Sequence, residues 1–184
     1  TSGAVERYRA IGGKSPLPET TRRQAELVGS ELARRGIERK VYVGMLHARP
    51  TIPEAAAEIR ADGVEVLTVV SLAPYRCEVS TDAYEAAVVE AFGGAGPELR
   101  FTPDWNLAPG YIEALADMLG KAVSEAPAGT PVVFAAHSLP IRMIDQGDPY
   151  ADQLRDTATA VAERLGVADW EIAYQSVSAA AATR

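Results

Sequence analysis

The sequence predicts an α/β fold, a parallel β-sheet flanked by helices on both faces. Three observations predict it. Short apolar runs alternate with helical stretches along the whole chain, the pattern of strands joined by crossover helices. The run Val132-Val-Phe-Ala-Ala136 is wholly apolar, as in a strand buried on both faces. It then gives way to His137-Ser138 and to Pro140, which cannot continue a ladder. Finally, His47, Tyr75-Arg76, Asp104 to Asn106 and Gln175-Ser176 also follow the ends of apolar runs. In an open α/β sheet the carboxyl edge is where ligands bind, so these loops are expected to share one cleft.

Each element has its own signal. Val5 to Ala10 reads as a short helix, broken at Ile11-Gly-Gly-Lys-Ser-Pro-Leu17. Thr20 or Thr21 can cap a helix to about Arg35, ended by Gly36. Val41 to Leu46 is an apolar strand delivering His47. Ile52 to Ala61 is a helix, with Pro53 tolerated in its first turn and Gly63 after its end. Val64 to Leu72 is a strand leading to Ala73-Pro-Tyr-Arg-Cys-Glu78. Thr81 to Phe92 is a helix closed by Gly93-Gly94, and Leu99 to Thr102 a short strand. Pro109 opens a helix to about Glu125, and Val132 to Ala136 is the central strand. Asp148 is the expected N-cap of a helix with Pro149 at its first position and Gly166 at its end. Trp170 to Tyr174 is the last strand, and the small residues from Ala179 to Arg184 read as a frayed tail.

The chain has 184 residues, 47% hydrophobic and 23% charged, with a formal net charge of -7. That length builds a real core. The acidic balance argues against nucleic acid as a partner, since a phosphate backbone wants a basic face. It still allows a small anion held by a few placed cations. A single cysteine, Cys77, forbids an internal disulfide and fits a reducing, cytoplasmic setting. No apolar run reaches the length of a transmembrane segment, and no signal peptide opens the chain.

Several motifs are weaker than they look. Gly13-Lys14-Ser15 suggests a phosphate loop, but the glycine required five positions earlier is Tyr8, and no strand precedes it. The glycines still let backbone approach a ligand, and Lys14, Ser15 and Arg7 can hold a carboxylate; a plain glycine turn is the competing reading. Ser138 lacks the Gly-x-Ser-x-Gly elbow, and neighbouring strand residues point apart, so His137 is badly placed to activate it. One Cys and two distant His do not make a standard zinc cluster. Either histidine can act as a base or as a single metal ligand, and for His47 a surface loop histidine is the stronger reading.

Taken in order, several blocks resemble the ferrochelatase family. They are Arg7-Tyr-Arg-Ala-Ile-Gly-Gly-Lys-Ser-Pro-Leu17, Tyr42-Val-Gly-Met-Leu-His47, Leu72-Ala-Pro74, Ala135-Ala-His-Ser-Leu-Pro140, Gly147-Asp-Pro-Tyr150 with Gln153, and Tyr174-Gln-Ser176. The resemblance implies a chelatase-like, Rossmann-like layered fold, here an incomplete two-lobed one. Residues 1–103 would be most of the first lobe and 104–184 the start of the second. It implies insertion of ferrous iron, as substrate, into a porphyrin (coproporphyrin or protoporphyrin) in heme biosynthesis. His137 matches the family's catalytic histidine, as metal ligand or base. Arg7, Tyr8 and Ser15 match the segment lining the porphyrin cleft, Lys14 lies within it, and Tyr84 matches a tyrosine near the same cleft. The competing reading of Tyr84 is a core residue of its helix. A late family glutamate opposite the histidine has no counterpart here, nor does an opening strand with a Gly-Thr-Pro loop. Three readings follow: part of a longer enzyme lacking a C-terminal segment, a short chelatase completed by self-association, or a tetrapyrrole- or metal-binding protein without turnover. A periplasmic-binding-type receptor shares the layered logic and ranks last. One cysteine is too few to hold an iron–sulfur cluster within this chain.

Overall fold

The computed structural model describes Glu6, Arg9, Ala10 and residues 12–176. The short helix expected from Val5 falls partly outside the described residues, as do Arg7, Tyr8 and the 177–184 tail. The chain is α/β, with parallel strands and helices between them. It divides into two compact units: residues 1–67 with 86–100, and residues 68–85 with 101–184. No described helix is long and apolar enough to cross a membrane.

In the first unit, helix α1 is Leu17–Arg34. It begins three residues before Thr20, because the proline-rich entry already fixes φ in its first turn. Thr20 and Thr21 lie inside it, its N-cap is Pro16 with no side-chain cap, and Ser15 Oγ accepts the Leu17 N–H at 3.2 Å. Val41 to Leu46 is not a strand. A strand exists by its ladder, and among the described residues this stretch pairs only through the Met45–Thr51 bridge. Gly44 packs closely there: a Cβ would sit 3.2 Å from Ile52 Cα, so the neighbouring backbone would have to give by a few tenths of an ångström.

Helix α2, Ile52–Ala61, has the predicted bounds. Thr51 Oγ1 accepts the Glu54 N–H at 3.3 Å and Glu54 accepts the Thr51 N–H at 2.8 Å, a reciprocal capping box. Ile52, Ala55, Ala56 and Ile59 form one buried face at helical spacing. Ala56 and Ile59 pack with Phe92 as this unit's core, and the Arg60 guanidinium lies 5.0 Å from the Phe92 ring.

Strand β1, Val66–Val69, is shorter than the apolar run that predicts it. A π-helical turn, Glu78–Asp82, precedes helix α3, Ala83–Phe92, so the regular helix starts two residues after Thr81. Strand β2, Glu98–Phe101, pairs with β1. Glu98 N–H donates to the Glu65 carbonyl at 2.8 Å and Thr102 N–H to that of Val69 at 3.0 Å; both numbers rise together, as in a parallel pair.

The second unit contains helix α4, Pro109–Glu125, strand β3, Val132–His137, a short helix α5, Ile141–Asp145, helix α6, Tyr150–Leu165, and strand β4, Trp170–Gln175. β3 and β4 are parallel, in register from Val132 opposite Trp170 to His137 opposite Gln175. Helix α6 buries Thr157, Ala158, Val161 and Ala162, and Gly166 ends it in the left-handed conformation at φ 66. β3 is not buried on both faces. Its exposure alternates, and Val133 is 51% exposed. A strand is covered on both sides only when helices lie on both, and here every second residue faces solvent.

Candidate functional site

The site starts where β3 ends. Val132, Val133 and Phe134 suit a pleated ladder, and Pro140 stops it. The pairing runs one step past the strand, with the Ser138 N–H donating to the Gln175 carbonyl at 3.0 Å. Pleat alternation then sends neighbours opposite ways: the His137 side chain is exposed, and Ser138 is buried. That separation agrees with the expectation that His137 does not activate Ser138.

The segment after His137 is firmly anchored. Leu139, Met143 and Cys77 form a buried cluster, with Ile144 and Tyr150 packed against it. The helix α5 inside this segment has no counterpart in the predicted elements; five residues are too few to show a periodicity. Gly147, at φ 95, turns the chain so that the Asp148 N–H reaches the Met143 carbonyl at 3.0 Å. Asp148 is not the cap of α6, which is Pro149. Its carboxylate instead accepts the Tyr150 N–H at 3.0 Å and the Glu78 N–H at 2.9 Å, tying the histidine loop to the 73–82 loop.

A cavity of about 540 Å³ opens beside the strand, within the size range of small-molecule sites. His137, Tyr75, Tyr111 and Tyr150 line it together with apolar residues of α4 and α6. The Tyr75 ring stands edge-on to Tyr150 at 6.0 Å and to Tyr111 at 6.4 Å, and Trp105 is edge-on to Tyr111 at 5.1 Å. The Tyr75 and Tyr111 hydroxyls lie 3.1 Å apart. Burial, then the Tyr75 hydroxyl, pushes the Tyr111 phenol well above its usual range. Burial also pushes Tyr150 up. Both rings are therefore neutral near pH 7 and offer the cavity O–H groups rather than charge.

A polar web holds the neighbouring loops. The Arg76 guanidinium meets Asp82, Glu85 at 3.0 Å and Asp104 at 3.2 Å. Burial pulls its pKa down, and the carboxylates of Asp104, Glu85 and Asp82 more than offset that, for a net rise. Gln153 accepts the Arg76 backbone N–H at 2.7 Å and donates to Asp104 at 2.9 Å. Trp105 donates to the Ser71 carbonyl at 2.8 Å. Four of the five polar strand-end loops thus come together in this unit. His47 is exposed and belongs to the first unit.

The predicted site residues divide the same way. His137 and a half-buried Tyr84 lie in the second unit, although Tyr84 is not among the cavity's lining residues. Lys14 is exposed and Ser15 half-buried in the first unit, while Arg7 and Tyr8 lie outside the described residues. Among the described residues, no three His, Cys, Asp or Glu side chains gather into a metal-binding group. Cys77 is buried and burial pushes its thiol up, the environment of an inert thiol. Sequence reasoning missed Tyr111, Tyr150 and Gln153 as parts of the site. Tyr111 and Tyr150 look like ordinary helix residues, and only the folded arrangement turns them toward one cavity.

Comparison with known proteins gives a consistent result. Residues 2–182 match the ferrochelatase family model. A ferrochelatase of Deinococcus radiodurans is 41% identical over 177 residues, covering 92% of this chain and 56% of that protein. A coproporphyrin III ferrochelatase of Anoxybacillus flavithermus is 36% identical over 178 residues, covering 93% of this chain and 56% of that one. A ferrochelatase of Synechococcus elongatus is 32% identical, with 96% of this chain and 48% of the relative covered. The chain spans about half the length of the curated relatives it matches. The chain belongs to the ferrochelatase family.

Proposed function

We propose that this member of the ferrochelatase family takes part in inserting ferrous iron into a porphyrin, with His137 as the working group. The observation that carries the reading is the exposed imidazole at the carboxyl end of β3, beside a cavity walled by neutral aromatic rings. Insertion needs two pyrrole N–H protons to leave as one divalent ion enters, so the macrocycle keeps its charge balance. Imidazole titrates near neutrality and can accept such a proton or offer a lone pair to the metal. Arg7, Tyr8, Lys14 and Ser15 are proposed to meet the porphyrin carboxylates, and Tyr84 to lie near the same cleft. On this reading residues 1–103 are most of a first lobe and 104–184 begin a second. The reducing cytoplasm suits both ferrous iron and a single free thiol.

Adding ferrous or zinc ion to the chain with coproporphyrin should give metalloporphyrin absorbance bands. His137→Ala should cut the rate by roughly 100-fold, the usual worth of a positioned acid–base group, with the far-ultraviolet spectrum unchanged. Turnover that survives the substitution would show that another group does the work. A second reading, tetrapyrrole binding without turnover, rests on the aromatic and apolar lining of the cavity, which suits the faces of a flat macrocycle. It predicts quenching of Trp105 or Trp170 by porphyrin with no metalloporphyrin bands at any pH. Both tryptophans are well placed as reporters. Trp105 contacts Tyr111, and Trp170 stands edge-on to Phe134 at 5.6 Å, both ring partners lining the cavity.

A further inference from the structure

We propose that Gln153 is a positioning residue that acts through Tyr75. The key feature is the peptide unit between Tyr75 and Arg76. Its carbonyl accepts the Thr81 hydroxyl at 2.9 Å, and its N–H donates to Gln153 Oε1 at 2.7 Å. Both polar groups of one loop peptide are therefore held by side chains rather than by a ladder. A peptide is planar, so holding its two ends fixes the backbone torsions on either side. The torsion on the amino side belongs to Tyr75 and aims its ring.

Gln153 is suited to the task. An amide presents an acceptor and a donor on adjacent atoms. Its Nε2 donates to Asp104 Oδ2 at 2.9 Å, and Asp104 Oδ1 accepts from Arg76 Nε at 3.2 Å. The clamp thus closes through Arg76 on itself. The Gln153 carbonyl accepts the buried Thr157 hydroxyl at 3.0 Å, which seats this turn of α6. Tyr150 stands one turn earlier on the same helix and meets the Tyr75 ring edge-on. One helix therefore supplies both the clamp on the Tyr75 backbone and a surface for its ring. Tyr75 in turn lines the cavity that His137 borders. The inference rests on the porphyrin reading only for the choice of ligand.

The test is a double-mutant cycle on coproporphyrin III affinity, read from tryptophan quenching in the full chain. Gln153→Leu and Tyr75→Ala should each weaken binding roughly tenfold, the scale of one or two lost hydrogen bonds. The double variant should bind no more weakly than Tyr75→Ala, because the glutamine works through the tyrosine. Additive losses, or unchanged affinity in Gln153→Leu, overturn the proposal. The Tyr75 ring resonance of 13C-tyrosine-labelled protein, recorded without porphyrin, should shift in Gln153→Leu while the Tyr42 resonance stays. If the unsubstituted chain binds no porphyrin, the functional reading fails, and the resonance alone decides the clamp: an unmoved Tyr75 signal overturns it.

Discussion

Tyr111 shows how one residue reports on the site. Its phenol is held neutral by burial and by the Tyr75 hydroxyl, so its folded-state pKa is raised. A raised value means that the folded state keeps the proton longer than the unfolded chain does. The resulting stability is complete below about 10, the ordinary tyrosine value, and is lost as pH climbs through the folded-state value. The urea midpoint should therefore fall as pH rises past about 10, more gently in Tyr111→Phe. Tyr150 is raised as well, so a residual slope should remain. An equal slope in the two proteins would mean that Tyr111 is not the group responsible. Ser138 gives a second test at this scale. Its Oγ is buried and finds no hydrogen-bond partner among the described residues. An unmet buried hydroxyl costs free energy, so Ser138→Ala should raise unfolding stability by about 1 kcal/mol. A loss of stability in urea titration would show that the hydroxyl is bonded after all.

Among the elements, the capping box of α2 gives the sharpest expectation. Two N–H groups at the helix start are satisfied reciprocally by Thr51 and Glu54. Thr51→Ala should lower stability by about 1 kcal/mol, the usual worth of a lost N-cap, read as a lower urea midpoint at unchanged slope. Pro53 and Gly63 made the bounds of this helix legible in the sequence; the box itself went unread, although its Thr-x-x-Glu spacing is local. Helix α4 was legible for a similar reason, since Pro109 fixes its first turn and the bounds match. Elements that depend on distant partners were harder to read. Val41 to Leu46 has a strand's composition, yet composition does not supply a ladder, and only the bridge at Met45 forms. The two-residue delay of α3 belongs with Arg76, whose guanidinium meets Asp82 within the preceding π-helical turn. No local signal carries that contact. His137 was legible because a polar pair after an apolar run marks a strand end. Tyr75 was legible for the same reason, but the rest of the tyrosine wall was not, since Tyr111 and Tyr150 reach Tyr75 only through tertiary packing.

On the scale of the whole molecule, the surface combines a net charge of -7 with large exposed apolar side chains. Met118 is 72% exposed, Leu107 51% and Val133 51%, all within the second unit. Scattered apolar side chains on a surface are ordinary. Met118 and Val133, however, also line the cavity that reaches His137. An apolar reporter dye such as anilinonaphthalene sulfonate should therefore bind the native chain and brighten at neutral pH. The same signal arises from a molten globule, so the near-ultraviolet circular dichroism must be recorded too. Retained aromatic bands, expected from the fixed edge-on rings of Tyr75, Tyr111 and Trp105, would assign the dye to native surface. Val133→Lys should then dim the dye at little cost in stability, because an exposed strand position tolerates a charge. Porphyrin added to the unsubstituted chain should displace the dye in proportion to the tryptophan quenching it causes. Quenching without displacement would mean that porphyrin binds away from β3, and would separate the imidazole at its end from the proposed chemistry.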